Sequence, residues 1–67
     1  MRHWVVQLRF RSGIIKRSKV TQAATHAIAE YKYKNLFPTE FTSEGMYTNA
    51  VPVDDYKASA VLKMELF

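Results

Sequence analysis

The strict alternation of side-chain polarity over residues 4–11 constrains the fold of this chain more than any other sequence feature. Apolar side chains occupy the even positions, Trp4, Val6, Leu8 and Phe10, and Val5, Gln7, Arg9 and Arg11 occupy the odd positions. A period of two in β-branched and aromatic residues is typical of a half-buried strand. Ser12 and Gly13 follow and suit a tight hairpin, so a second, shorter strand is predicted over 14–17.

The period changes near residue 20, which predicts a helix over 19–35. The stripe has the i, i+3, i+4, i+7 spacing of one helical face, and its members are Val20, Ala23, Ala24, Ala27, Ile28 and Tyr31. Ser18 and Thr21 are candidate N-caps. Asn35 or the approach to Pro38 is expected to end the helix. If these residues form the inward face of the helix, Tyr33 lies away from that face and is expected to be exposed.

Residues 37–55 show no lasting period, whereas residues 58–66 alternate again. A structureless loop of that length is uncommon in a small domain, so either a short strand or turn lies around 46–48 or the loop has a function. Over 58–66 the apolar positions are Ala58, Ala60, Leu62, Met64 and Leu66. This pattern predicts a third strand.

The order β-β-α-β predicts one small α+β domain over 1–67. We expect a three-stranded antiparallel sheet with one helix packed on one face. The third strand can pair beside the first or extend the hairpin at the second, and pairing beside the first is favoured because residues 4–10 and 58–66 are the two longest clean strands. The predicted core comprises Trp4, Val6, Leu8, Phe10, Ala24, Ala27, Ile28, Leu62 and Met64.

Charge is distributed unevenly along the chain, which carries a formal net charge of +4. Residues 1–34 hold eight basic residues and one acidic residue, and residues 35–67 hold two basic and five acidic residues. Such asymmetry favours an oriented approach to a charged partner. Cysteine is absent, which fits a reducing cytoplasm, that of the host if the protein is viral. No apolar run reaches the roughly 18 residues of a membrane span, and no secretory signal is recognised, so no membrane partner is expected.

The sequence offers no catalytic constellation. His3 and His26 lack a partner motif, and no serine lies in a nucleophile elbow. Asp54 and Asp55 are adjacent acids of the kind found in solvated turns rather than in metal sites. We therefore expect no enzyme activity, no cofactor and no metal.

Basic residues form the first candidate surface. If the apolar side of the first strand faces the helix, Arg9 and Arg11 face outward, and the same parity directs Lys57 and Lys63 outward, with Lys16 and Arg17 nearby. These side chains can neutralise phosphates of DNA or RNA. The alternative interpretation is that they are solvated strand exteriors that discourage aggregation.

Aromatic residues and methionine form the second candidate surface. Phe41, Met46 and Tyr47 lie in the long loop, and Tyr33 lies near the end of the helix. Exposed together, such side chains mark a protein-binding patch. The alternative interpretation is that the loop folds back and caps the open end of the sheet.

The strand pair over 4–17, the Ser/Thr-started, alanine-rich helix and the closing strand over 58–67 together resemble very small bacteriophage host-takeover proteins. The phage inhibitor of bacterial RNA polymerase and several anti-CRISPR proteins are similar in size and element order. The resemblance implies a stand-alone blocking or adaptor protein, acting as a monomer or small homo-oligomer on a host protein or nucleoprotein complex. A nucleic-acid-binding module that uses the basic face is the alternative.

Overall fold

Two antiparallel strands joined by a tight turn form the centre of a four-stranded sheet in the computed structural model, which describes residues 1–41 and 45–67. The elements, in chain order, are β1 (Arg2–Arg9), β2 (Ile15–Ala23), α1 (His26–Leu36), a 3₁₀ turn (Pro38–Glu40), β3 (Tyr47–Pro52), a second 3₁₀ turn (Val53–Asp55), α2 (Ala58–Val61) and β4 (Glu65–Leu66). The predicted α+β class, with one main helix packed on a sheet, is confirmed.

The sheet has the order β3-β1-β2-β4 and is mixed, so the prediction of three antiparallel strands is wrong. Strand β1 pairs antiparallel with β2 and with β3, and β4 pairs parallel with β2. A strand has only two edges for hydrogen bonding, and β2 and β3 occupy both edges of β1. The prediction that the 58–66 strand lies beside the first strand is wrong: β3 takes that edge of β1, and Glu65 and Leu66 instead extend the sheet at β2.

Strand β2 continues through residues 19–23, which the sequence pattern assigns to the helix. Lys19, Val20 and Thr21 pair with Val6, Val5 and Trp4 of β1, so the predicted helical start at residue 19 is wrong. The β-branched residues Val20 and Thr21 suit a strand. A spacing of three or four between apolar residues does not by itself exclude a strand.

Helix α1 begins one residue after Thr25, which replaces Ser18 and Thr21 as the N-cap. The Thr25 side-chain oxygen accepts a hydrogen bond from the Ile28 backbone N–H at 3.2 Å. This bond satisfies one of the amides that the first helical turn leaves without an intrahelical partner.

The core between α1 and the sheet confirms the inward side of β1 and corrects the helical face. Its buried residues are Trp4, Val6, Leu8, Ala23, Ala29 and Tyr33. The predicted stripe members Ala24, Ala27, Ile28 and Tyr31 are exposed, and Phe10 is only half-buried. With the helix starting at His26, the Ala29–Tyr33 pair at i, i+4 points inward. The predicted exposure of Tyr33 is therefore wrong.

The opposite face of the sheet is also covered over its centre. Val5, Gln7 and Val20 are buried there, and the Gln7 side-chain amide donates a hydrogen bond to the Tyr56 hydroxyl. The segment after β3 therefore passes over this face.

The predicted strand over 58–66 is replaced by a short helix followed by a two-residue strand. Leu62 is 85% exposed and Met64 is half-buried, so the predicted burial of Leu62 is wrong. With both edges of β1 taken, this segment adds only Glu65 and Leu66 to the outer edge of β2. Within the described residues, no helix is both long enough and apolar enough to cross a membrane.

Candidate functional site

The β1–β2 connection brings four of the six predicted basic residues into one structural unit. This unit, residues 9–17, is called the hairpin end here. The Phe10 backbone N–H donates to the Ile14 carbonyl at 2.9 Å, and the Gly13 N–H donates to the Phe10 carbonyl at 2.8 Å. Gly13 has a φ of +92°, a conformation that glycine adopts without a Cβ clash. The basic members of the hairpin end are Arg9, Arg11, Lys16 and Arg17.

Arg9 is engaged within the protein. Its Nη1 donates to the Gly13 carbonyl at 2.7 Å, and its Nη2 and Nε donate to Gln7 Oε1 at 2.8 and 3.1 Å. A planar guanidinium suits this two-sided role, because its donors have fixed directions. Arg9 therefore holds the turn against the strand instead of pointing freely toward a ligand.

Arg17 is engaged as well, on the opposite face of the sheet. It pairs with Leu8 across the strands, and directly paired residues point to the same side, which here is the α1 side. Its Nη1 lies 2.7 Å from Glu40 Oε1. The predicted basic sheet face, which placed Arg17 near Arg9, is wrong because the two arginines belong to different faces.

Lys19 is a buried cation that the sequence interpretation missed. Its Nζ lies 3.6 Å from Glu40 Oε1, 3.4 Å from Glu65 Oε2 and 3.8 Å from the centroid of the Phe37 ring. Two carboxylates and an aromatic face compensate for the removal of the ammonium group from water. The sequence near residue 19 does not indicate this burial, because the partners Glu40, Glu65 and Phe37 are distant in sequence.

Glu40 forms the centre of this network. Burial raises the pKa of its carboxyl, but the hydrogen bond from the Tyr33 hydroxyl and the charges of Arg17 and Lys19 outweigh burial and hold the pKa below its ordinary value. Burial, followed by the bond to Glu40, raises the pKa of the Tyr33 phenol well above its ordinary value. Tyr33 therefore stays a neutral donor to an ionised Glu40, and its role is in the core.

Arg11 and Lys16 are exposed cations of the hairpin end, as is Arg17, which is paired with Glu40. Within residues 1–41 and 45–67, Arg11 and Lys16 form no ion pair. The aliphatic part of Arg11 lies against Gly45, where an added Cβ would be 3.1 Å from Arg11 Cδ. Contact with Gly45 therefore restricts the aliphatic part of the Arg11 side chain, which ends in the guanidinium group.

Apolar side chains accompany these two cations. Ile14 is 66% exposed and Ile15 is also exposed. Tyr47, at the start of β3, is 42% exposed, and its hydroxyl lies 4.0 Å from the position that a Cβ on Gly13 would take. The hairpin end thus presents cations, two isoleucines and an aromatic ring together.

The remaining predicted basic residues lie outside the sheet. Lys57 is the N-cap residue of α2, and Lys63 follows that helix, so the predicted outward parity with Arg9 and Arg11 is wrong. Lys63 lines an open cleft of about 420 Å³ along the outer edge of β2, together with Arg17, Ser18, Lys19, Met64 and Glu65.

The long-loop residues divide into two groups. Phe41 and Met46 are partly buried and pack against the core, and the rings of Tyr33 and Phe41 meet edge to face with centroids 6.2 Å apart. Both residues therefore contact the core and are not fully exposed. Tyr47 is exposed, and residues 42–44 of the predicted loop lie outside the described residues.

Among the described residues, no group of three or more acidic or histidine side chains is arranged to hold a metal ion. Comparison of the chain with protein-family models, with curated proteins and with solved structures yields no match. Functional inference therefore depends on the surfaces of this chain.

Proposed function

We propose that this protein is a non-enzymatic binding protein whose hairpin end contacts the phosphates of a nucleic acid, alone or within a nucleoprotein complex. The observation that supports the proposal is the exposure of Arg11 and Lys16 on the hairpin end, whose Gly13 is approached by the hydroxyl of the exposed Tyr47. Cations bind phosphates chiefly by releasing condensed counterions, and the contact carries little sequence information.

The number of available cations limits the expected affinity. Arg9 is committed to Gly13 and Gln7, and Arg17 shares its charge with Glu40. Two full contacts, with partial help from Arg17 and Lys63, correspond to about two to four phosphates. The logarithm of the binding constant should then fall with the logarithm of salt concentration with a slope of about −1.4 to −2.8 for single strands and about −1.8 to −3.6 for duplexes.

Tyr47 favours single-stranded over double-stranded ligands. An exposed aromatic ring at the same end of the sheet as the cations can stack on an unpaired base, and such stacking contributes about 1–3 kcal/mol per base. In a duplex the bases are already stacked on one another and cannot use the ring.

Fluorescence anisotropy with labelled single-stranded and duplex oligonucleotides at two salt concentrations tests this proposal. Lys16→Glu should weaken binding at least about tenfold. Lys34→Glu, a matched change at an exposed lysine of α1, should have much less effect. Absence of binding at low salt, or equal losses in the two variants, would contradict the proposal.

A second candidate function is the blocking of a host protein, as the resemblance to phage host-takeover proteins implies. Ile14, Ile15 and Tyr47 are exposed at the same end, and interface energy often concentrates in a few such anchors. A pull-down from host lysate with and without nuclease distinguishes the candidates. A protein retained after nuclease, in a complex that Tyr47→Ala weakens and salt does not, would favour the second.

A further inference from the structure

The open cleft along the outer edge of β2 adjoins the hairpin end. Arg17 is both the last residue of the hairpin end and part of the lining of this cleft. The cleft has a volume of about 420 Å³, and the rest of its lining consists of Ser18, Lys19, Lys63, Met64 and Glu65. A ligand bound at the hairpin end therefore has the cleft as its immediate neighbour.

Strand β4 covers only part of this edge of β2, because it pairs with Lys19 and Val20 alone. The Phe67 backbone N–H donates to the Val20 carbonyl at 2.9 Å, so the backbone groups of Val20 point outward from the edge. Successive residues of a strand direct their backbone N–H and C=O groups to alternate edges. The backbone groups of Ser18, two residues before Val20, therefore point outward as well, and Ser18 lines the cleft.

Among the described residues, the Ser18 backbone N–H has no hydrogen-bond partner. A backbone N–H is a strong donor and binds an acceptor of the solvent or of a ligand. The free part of the edge is too short for a further strand, because Lys16 lies at the register irregularity of β2 and β4 begins opposite Lys19. Ser18 therefore suits a small acceptor group rather than an extended peptide.

Among the described residues, the charges around the cleft leave one cation uncompensated. Arg17 and Lys19 contact Glu40, and Lys19 also contacts Glu65, so two cations and two carboxylates balance one another. Lys63 is exposed and has no ion pair within residues 1–41 and 45–67. The contact of Arg17 with Glu40 uses only Nη1, which leaves other donors of the guanidinium for a further acceptor.

We infer that this cleft is a subsite for one nucleotide phosphate. The inference rests on the proposed function, in which the nucleotide belongs to the strand bound at the hairpin end. Lys63 and the remaining donors of Arg17 contact the phosphate oxygens, and the Ser18 N–H donates to one of them. The Glu65 carboxylate, 79% exposed at the side of the cleft, opposes binding by charge repulsion.

The Ser18 carbonyl distinguishes a nucleotide from free phosphate. It faces the same edge as the Ser18 N–H and can accept a hydrogen bond from a sugar hydroxyl or a base amine. Inorganic phosphate offers neither group, so it should bind the cleft more weakly than a nucleotide does.

Amide NMR of the isotope-labelled protein at low salt tests the site directly. Adenosine monophosphate should shift the Ser18 amide resonance in a saturable manner, and inorganic phosphate should do so with lower affinity. Adenosine, which has no phosphate, should leave this resonance in place. The amide of Ser59, an exposed serine of α2, is the internal control and should not respond to any of the three.

Two charge variants of the cleft should change this affinity in opposite directions. Lys63→Gln should weaken binding of adenosine monophosphate about threefold, and Glu65→Gln should strengthen it about threefold, as expected for single exposed charges. Lys57→Gln, at an exposed lysine outside the cleft lining, should bind like the wild type. All three side chains are exposed, and circular dichroism checks that the variants are folded.

Three outcomes would overturn the inference: a Ser18 amide that adenosine monophosphate does not shift, an equal shift with adenosine, or unchanged affinity in Lys63→Gln. Oligonucleotide binding separates the inference from the proposed function. A loss with Lys16→Glu but none with Lys63→Gln would retain the proposed function and exclude the subsite. A saturable Ser18 shift without any oligonucleotide binding would support the phosphate subsite and contradict the proposed function.

Discussion

The Tyr33 hydroxyl lies 3.0 Å from Glu40 Oε2 and donates a hydrogen bond to it, while Arg17 Nη1 lies 2.7 Å from the other carboxylate oxygen. One carboxylate thereby joins α1, the first 3₁₀ turn and β2. Charge-assisted hydrogen bonds of this kind are stronger than neutral ones. The largely shielded Glu40 carboxylate thus connects three elements of the fold through this network.

Tyr33→Phe should destabilise the protein while preserving its ring packing. The substitution removes one hydrogen bond to a charged group, at a cost of about 1.5–3 kcal/mol in the free energy of unfolding. Urea denaturation measures the change. Tyr31→Phe is the matched control, because Tyr31 is 68% exposed on the same helix, and its effect should stay within about 0.5 kcal/mol. Equal effects would contradict the role assigned to the Tyr33 hydroxyl.

Glu40 should make the stability of the protein sensitive to acid. Its folded-state pKa is lowered, so its stabilising contribution is present above the ordinary glutamate pKa of about 4.3 and is lost as pH falls through the folded value. Glu40→Gln removes this titration. The variant should be less stable than the wild type at pH 7, and the difference between the two should shrink toward pH 3. Parallel stability curves in urea titrations would contradict the prediction.

Leu8 and Leu62 should differ sharply in their response to truncation. Leu8 is fully buried beneath α1, whereas Leu62 is largely exposed. Leu8→Ala should cost about 2–5 kcal/mol of unfolding free energy, and Leu62→Ala should cost less than about 0.5 kcal/mol. Melting curves of the two variants measure this. A severe effect of Leu62→Ala would instead support the strand that the alternation over 58–66 predicts.

Arg9→Ala and Lys16→Ala should differ in their effect on the free energy of unfolding. Arg9→Ala removes the hydrogen bonds to the Gly13 carbonyl and Gln7, which should cost about 1–3 kcal/mol. Lys16→Ala should leave the free energy of unfolding nearly unchanged, since the side chain is exposed. Urea denaturation of both variants tests the distinction. Indistinguishable midpoints would mean that the Arg9 contacts do not hold the hairpin.

Local patterns were sufficient for part of the candidate site. The exposure of Arg11 and Lys16 follows from their charge and from their place beside a tight turn. The engagement of Arg9 and Arg17 does not. The acceptor of Arg17 is Glu40, which lies far away in the sequence, and the acceptors of Arg9, although close in sequence, come within reach only through the conformation of the strand and turn. Sequence spacing does not reveal which charge meets which partner after folding.

The sequence by itself determined the α+β class, the hairpin at Gly13 and the inward face of β1, since turn chemistry and strong alternation are local properties. Only the tertiary structure decided that residues 19–23 continue β2 and that Tyr33 rather than Tyr31 is buried. It also decided that β3, not 58–66, takes the second edge of β1. Backbone pairing is the physical reason. A weakly patterned segment becomes a strand when a neighbouring strand has free hydrogen-bonding groups along one edge. A well-patterned segment does not pair with that strand when both of its edges are already occupied.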